Sequence, residues 1–432
     1  MRLLTGKDML IGSDLGAIKL MARGTGAAIA ASAITLLLAG TLLAAIIASE
    51  TKLTASDGAP DDRFGSSGES SSVAQSGRSA VIAATGDDDL GDRAGAAYVF
   101  HDDGTGWAEQ AKLTASDGVE KDFFGSAVSI SGDTVVVGAF FSDSPAQHSG
   151  SAYVYQRTGD TWTEEAKLVA DDGAEDDLFG ISAAISGDAV VVGARDHDAV
   201  APNAGAAYVF RFDGTSWTQE AELVASDGAA GDFFGVRVAI EGDVVVAGAQ
   251  TADAGGVDSG AAYVFRFDGT SWTQEAKLTA SNGRKGDEFG NSVAISGDTV
   301  VVGAARVGPD RGAAYVFRFD GTSWSQEAKL TPAFSKAKDV FGSSVGISGD
   351  LIVVGAAKGD DGERDTGAAY VFQRTGTVWS EELKLFASDG EQDDNFGGSV
   401  AIWQNTVLIG ASGDDDLGSG AGAAYVYKLT AP

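Results

Sequence analysis

No cysteine occurs in the 432 residues. Disulfide staples, thiolate metal sites and cysteine nucleophiles are therefore excluded, although the absence assigns no compartment by itself. Histidine is nearly absent too: His101, His148 and His197 fall in different copies of a repeat and at positions that other copies fill with unrelated residues, so neither a histidine metal triad nor a Ser-His-Asp arrangement is suggested. Six prolines stand against 60 glycines, as in many short strands joined by glycine turns. Positive charge is scarce, with 30 Lys and Arg against 62 Asp and Glu and a net charge of −32. The first 49 residues hold Arg2, Lys7, Lys19, Arg23, Asp8 and Asp14, leaving 26 cations against 60 anions beyond them, a net of −34. Such a body repels nucleic acid and anionic headgroups and attracts cations or basic partners; plain solvated surface is the competing reading.

Residues 24 to 49 carry no charge, and Ala33 to Ile47 are apolar almost throughout. This stretch reads as a membrane-inserting helix, either a signal peptide or a retained anchor, with Arg23 and Lys19 on the cytoplasmic side. The expected division is 1–49 as signal or anchor and 50–432 as a secreted, periplasmic or cell-surface domain that touches the membrane through residues 24–49 if they are not cleaved. Translation from Met21 would give a compact start, leaving 1–20 as a mis-assigned extension.

The pair Phe-Gly recurs at Phe64, Phe124, Phe179, Phe234, Phe289, Phe341 and Phe396. Each copy continues, with variations, through Ser-Gly-Asp, Val-Val-Val-Gly-Ala, an acidic stretch, Gly-Ala-Ala-Tyr-Val-Phe and a Trp-led alternating strand. The pattern predicts four strands per copy: in the fifth, A over Phe289–Ile295, B over Thr299–Gly303, C over Ala313–Phe319 and D over Trp324–Leu330, from the axis outward. One such sheet cannot bury both faces, so the copies must stack in a ring. The last copy lacks strand D, while Lys52 to Gly58 repeat Lys112 to Gly118 residue for residue. The expected fold is therefore all-β, a seven-bladed propeller of four-stranded blades closed by an N-terminal outer strand, with Ile47 in the register of the usual Trp, and preceded by one apolar helix.

Phe-Gly-x-Ser-Val-x-Ile, Val-Val-Val-Gly-Ala and Gly-Ala-Ala-Tyr-Val-Phe resemble the FG-GAP repeat family known from integrin α chains, over residues 50 to 432. That resemblance implies an extracellular propeller for adhesion or ligand recognition. Calcium-binding members use an Asp-x-Asp-x-Asp-Gly-x-x-Asp loop between strands A and B, shortened here to Ser-Gly-Asp, so those calcium sites are expected to be missing.

Alternating strand direction places the A–B and C–D turns on one face and the D–A and B–C loops on the other. The first reads as structural hairpins; the second carries the length variation. D–A loops hold Asp62, Asp122, Asp177, Asp232, Asp287, Asp339 and Asp394, read as loop caps, and five residues earlier Asp57, Asp117, Asp172, Asp227, Asn282 and Asp389, with Phe334 in the sixth copy. B–C loops hold Asp87-Asp88-Asp89, Asp196, Asp198, Asp360-Asp361 and Asp414-Asp415-Asp416. In a closed ring the triplets of copies one and seven lie in neighbouring blades, the best candidates for a divalent cation or a basic partner, with metal binding left undecided and calcium open. The expected function is a non-enzymatic binding or adhesion module for an unidentified protein or carbohydrate ligand. A hydrolase or lyase acting on a surface polymer, and a structural surface-layer repeat, remain the alternatives.

Overall fold

The computed structural model describes residues 47–65, 71–333, 338–359 and 365–430. They form seven antiparallel four-stranded sheets. Blade one comprises strands A to D at Val73–Ser76, Ser79–Ala84, Ala96–Asp102 and Trp107–Leu113. Blade three comprises Phe179–Ser186, Ala189–Ala194, Ala206–Phe212 and Trp217–Leu223, and blade five Ser292–Ser296, Thr299–Ala304, Ala313–Phe319 and Trp324–Leu330. One helical turn, Val307–Asp310, lies in the B–C loop of blade five. The segments at 1–46, including the expected apolar helix, lie outside the described residues; among those described, no helix is long and apolar enough to cross a membrane.

Ring closure follows the sequence expectation. Blade seven takes strands A to C from Ser399–Trp403, Thr406–Ala411 and Ala423–Leu429, and its strand D is Ile47–Leu53. Ile47 pairs with Leu429, as Trp217 pairs with Phe212. The alignment differs by a residue in between. Most blades bulge within strand D opposite the middle of strand C, whereas blade seven places its irregularity between Ile47 and Ser49. Glu50 consequently sits opposite Tyr427, where Gln219 sits opposite Phe210.

Each hydrophobic core spans two blades: Leu408, Ala424 and Val426 of blade seven pack with Phe64, Tyr98 and Phe100 at blade one. Strand B is buried along its whole length in blade three, as its continuous valines require, while strand D alternates between half-buried and exposed until buried Leu223. The Phe-Gly and Gly-Ala motifs meet at the joints. Phe64 bridges Gly422 and Phe179 bridges Gly150, each across two blades. A Cβ on Gly95 (φ +85°) would lie 2.0 Å from the Phe124 carbonyl oxygen, so the close approach admits only glycine.

Strand A departs from its expected span in several blades. It starts at the Phe in blades two, three and six, but only after it at Val73, Arg237, Ser292 and Ser399 in the others. The residue before each Phe-Gly has positive φ (51–58°) and the glycine after Phe is left-handed as well, so the chain enters the sheet through an irregular segment. Around the axis, the strand A ends carry joints of their own. Gly132 donates its N–H to Ser76 Oγ (3.1 Å), Gly187 to Ser131 (3.2 Å) and Gln404 to Ser348 (2.9 Å), each from one blade to the one before.

Candidate functional site

On the D–A and B–C face the expected acidic triplets are built into the fold. Tyr98, on strand C of blade one, donates its hydroxyl to Asp57 (2.7 Å) and Asp87 (2.8 Å). Lys112, on strand D, reaches Asp57 at 2.8 Å, Asp87 at 2.7 Å and Asp89 at 2.6 Å. Blade seven repeats this with Tyr425, Asp389, Asp414, Asp416 and Lys52, the lysine lying 2.6 to 2.9 Å from the three carboxylates. Burial alone would lower the pKa of both lysines, but the hydrogen-bonded carboxylates more than offset it and hold them well above the ordinary lysine value. Both tyrosines are raised by burial and by the same carboxylates.

The two triplets therefore gather around their own lysines rather than around one shared site. The D–A loop lies between them: Asp61 N–H donates to Ser419 O, and Gly86 N–H to Asp62 O, both at 2.9 Å. Asp87 and Asp414 are buried, whereas Asp88 and Asp415 are exposed. Asp198 caps the Asn203 N–H within its own loop (2.8 Å), and Asp196 is half-buried beside Arg195. Asp360 and Asp361 lie outside the described residues. Five large aliphatic or branched side chains, Leu90, Val119, Val200, Val257 and Leu417, stand about half exposed on this face, at 47 to 55%.

The recurrent Asp two residues before Phe-Gly is a loop cap, as expected, in six copies; for Asp339 in the sixth, the corresponding position 336 lies outside the described residues. Asp62 accepts from Ala59 N–H (2.7 Å), Asp177 from Ala174 (2.7 Å) and Asp394 from Glu391 (2.7 Å). Burial raises Asp394 to about 6. The residue five positions earlier accepts the strand C tyrosine hydroxyl, in Asp117, Asp172, Asp227 and Asn282 as in Asp57 and Asp389. In the sixth copy that position, 334, lies outside the described residues, and the Tyr370 hydroxyl is buried without a hydrogen-bond partner among those described.

Sequence reasoning missed the lysine. The signal was present, because strand D carries Lys52, Lys112, Lys167, Lys277, Lys329 and Lys384 in six copies and Glu222 in the third. Blade three also puts His197 where blade one has Asp87 and blade seven Asp414, each donating its N–H to the last residue of strand B. His197 Nδ1 lies 3.0 Å from Asp177 Oδ2, and its Nε2 lies 3.7 Å from both Asp172 and Glu222. The hydrogen bond to Asp177 raises the histidine above its ordinary value despite burial; burial and then Asp172 raise Glu222.

The opposite face holds more than hairpins. The A–B connections are two-residue turns with glycine at φ 55–60° in the first position, except for Gln404 (φ 53°) in blade seven. Asp133 and Asp350 pair with Arg157 and Arg374, and Asp188 with Arg211. These turns cannot wrap a calcium ion with six oxygens, so the family's A–B calcium loop does not fit here. The strand A ends open into an axial cavity of about 780 Å³ whose lining includes Trp403, and a groove of about 560 Å³ between blades seven and one is lined by Trp403, Gln404, Asn405, Arg78, Gln75 and Trp107, among others. Trp403 and Gln404 replace the Gly of the other six turns and the residue before it, which is Ser in five of them and Glu241 in blade four, a departure legible in the sequence.

No curated protein matches this chain at a significant level. Among solved structures, a chain from the mitotic checkpoint complex superposes with a TM-score of 0.53 at 11% identity, covering 96% of this chain and all of that one, a likeness of fold alone. Sqt1 of Saccharomyces cerevisiae matches with a TM-score of 0.45 at 10% identity, over 88% of this chain and 98% of that one. The FG-GAP repeat matches seven times, at residues 48–100, 107–155, 162–210, 217–265, 272–317, 324–372 and 379–427, one copy to each blade from its preceding outer strand onward, and the chain belongs to that family.

Proposed function

We propose that the protein is a non-enzymatic, extracytoplasmic binding or adhesion module that engages a basic protein surface through its D–A and B–C loop face. The observation that carries this is the composition of the exposed loops: Lys112 and Lys52 each pair with three carboxylates and offset only part of their charge, and Asp88 and Asp415, with no lysine of their own in these clusters, stand exposed next to Leu90 and Leu417. Acid interleaved with exposed aliphatics suits a cationic partner with apolar contacts, the charge steering encounter and the aliphatics supplying buried area. Hydrogen exchange with a lysine-rich peptide tests the reading. Protection confined to residues 85–93 and 412–420 is expected; protection at the A–B turns instead would refute it.

A second reading is favoured by one observation. Trp403 is 41% exposed in a concave groove with amide, hydroxyl and guanidinium groups around it. That chemistry suits a sugar ring stacked on the indole, so a carbohydrate ligand belongs on this face. Tryptophan fluorescence that shifts with oligosaccharide in the parent chain and not in Trp403→Ala would support it, and an identical response in both would remove it.

A further inference from the structure

Blade three inverts the charge of a constellation that its neighbours share. In blades one, two, four and seven a lysine from strand D lies 2.6 to 2.9 Å from the D–A loop aspartate that also accepts the strand C tyrosine. In blade three the lysine position is Glu222, opposite Tyr208 as Lys112 is opposite Tyr98. Asp172 and Glu222 are thus brought together without the ammonium that separates such groups elsewhere. The one cationisable group paired with them among the described residues is His197, which is 9% exposed.

We propose that blade three holds a divalent metal ion of the zinc class between Asp172, His197 and Glu222, where the neighbouring blades hold a lysine ammonium. Three observations converge on it. The three ligand atoms lie within 4.8 Å of one another, on a D–A loop, a B–C loop and strand D respectively. The Nε2 to carboxylate separations of 3.7 Å approach the roughly 3.4 Å between tetrahedral ligands whose bonds to zinc are about 2.0–2.1 Å. Finally, the outer contacts are those of a metal-ligating histidine. Buried Asp177 accepts from Nδ1 at 3.0 Å, which orients the ring with Nε2 towards both carboxylates and leaves Nε2 without a hydrogen bond. Tyr208 donates to Asp172 Oδ1 at 3.0 Å, so that Oδ2 is the oxygen facing the imidazole. One imidazole nitrogen and two carboxylates suit zinc better than calcium, which prefers a larger all-oxygen shell, and leave a fourth position open.

The comparable acidic groups of blades one and seven carry no such inference, because Lys112 and Lys52 already occupy them. The competing account of blade three is that a protonated His197 alone offsets the two carboxylates. Binding distinguishes the two. The full chain, stripped with chelator and titrated with zinc chloride at pH 7 in about 0.15 M salt, is expected to take up one ion per chain, with excess calcium failing to displace it. Glu222→Lys restores the residue that six other copies carry and is expected to weaken uptake at least a hundredfold while keeping the fold; His197→Ser, the residue blade two has at Ser142, is expected to do the same. In the parent chain the unfolding midpoint rises with added zinc, and in both variants it does not. No stoichiometric uptake by the parent chain, or uptake in Glu222→Lys as tight as in the parent, overturns the proposal.

Discussion

Lys112 illustrates how much of this protein's acidity is structural. Its ammonium lies within 2.8 Å of three carboxylates, one of them on buried Asp87. Lys112→Met keeps most of the stem and removes the charge, leaving Asp57, Asp87 and Asp89 to repel one another; a loss of about 2–3 kcal/mol is expected, discounted for partial exposure, measured by urea denaturation. Lys329 is the contrasting case: it lies over Tyr315, whose hydroxyl donates to Asn282 rather than to an aspartate, and burial lowers its pKa. Asp394 sets a pH dependence of the opposite sense from a salt-bridged acid. Its folded pKa is about 6 against an ordinary 3.8, so the folded state holds a proton that the unfolded state has released. The group opposes folding above pH 6, and that penalty fades as pH falls through 6 and is gone below about 4. Asp394→Asn retains an acceptor for Glu391 N–H and is expected to add about 1 kcal/mol of stability at pH 7.5 and nothing measurable at pH 4. The sequence located Asp87, Asp89, Asp414 and Asp416 as a cluster but not what they bind, because pairing with Lys112 or Lys52 depends on the strand D register and on a loop arriving from the preceding blade. His197 was set aside for the same reason: its partners come from two other segments, the D–A loop and strand D, and only superposing the repeats shows that Glu222 stands where lysines stand.

Between strands, the glycines of the joints decide whether blades can approach. Gly95→Ala would place a methyl 2.0 Å from the Phe124 carbonyl oxygen at φ +85°, and a loss of more than about 3 kcal/mol is expected from thermal or urea unfolding. Gln404→Gly tests the converse. It relieves a left-handed non-glycine residue at φ 53° and is expected to stabilise by about 0.5–1 kcal/mol. Strands B, C and D of blade five matched their sequence expectation because each is one apolar or alternating run bounded by Gly or Asp. Strand A did not in every blade, since Phe-Gly is spent on the joint to the neighbouring blade, an interaction that periodicity within a single copy cannot reveal. The hairpin turns were legible for the same local reason, whereas the groove at Trp403 arises where the Trp403-Gln404 departure of blade seven meets blade one, a neighbour only through closure.

For the whole ring, closure by Ile47–Leu53 ties the two ends of the described domain into one blade. A chain lacking residues 1–53 exposes the edge of Ala423–Leu429 and is expected to lose its cooperative unfolding transition, read by circular dichroism, because every core is shared between two blades. The ring was legible in advance because seven copies and a displaced outer strand are long-range features written directly in the residue order. The proposed ligand was not, since that proposal depends on which acids remain outward once the lysines are placed. That claim has a direct measurement: the affinity of the full chain for a lysine-rich peptide, compared with a variant carrying Asp88→Asn, Asp415→Asn, Leu90→Ser and Leu417→Ser. The substitutions change the net charge only from −32 to −30. General attraction to an acidic body would therefore scarcely change, whereas recognition by this face is expected to weaken at least tenfold, about 1.4 kcal/mol. Unchanged affinity in that variant would contradict the account.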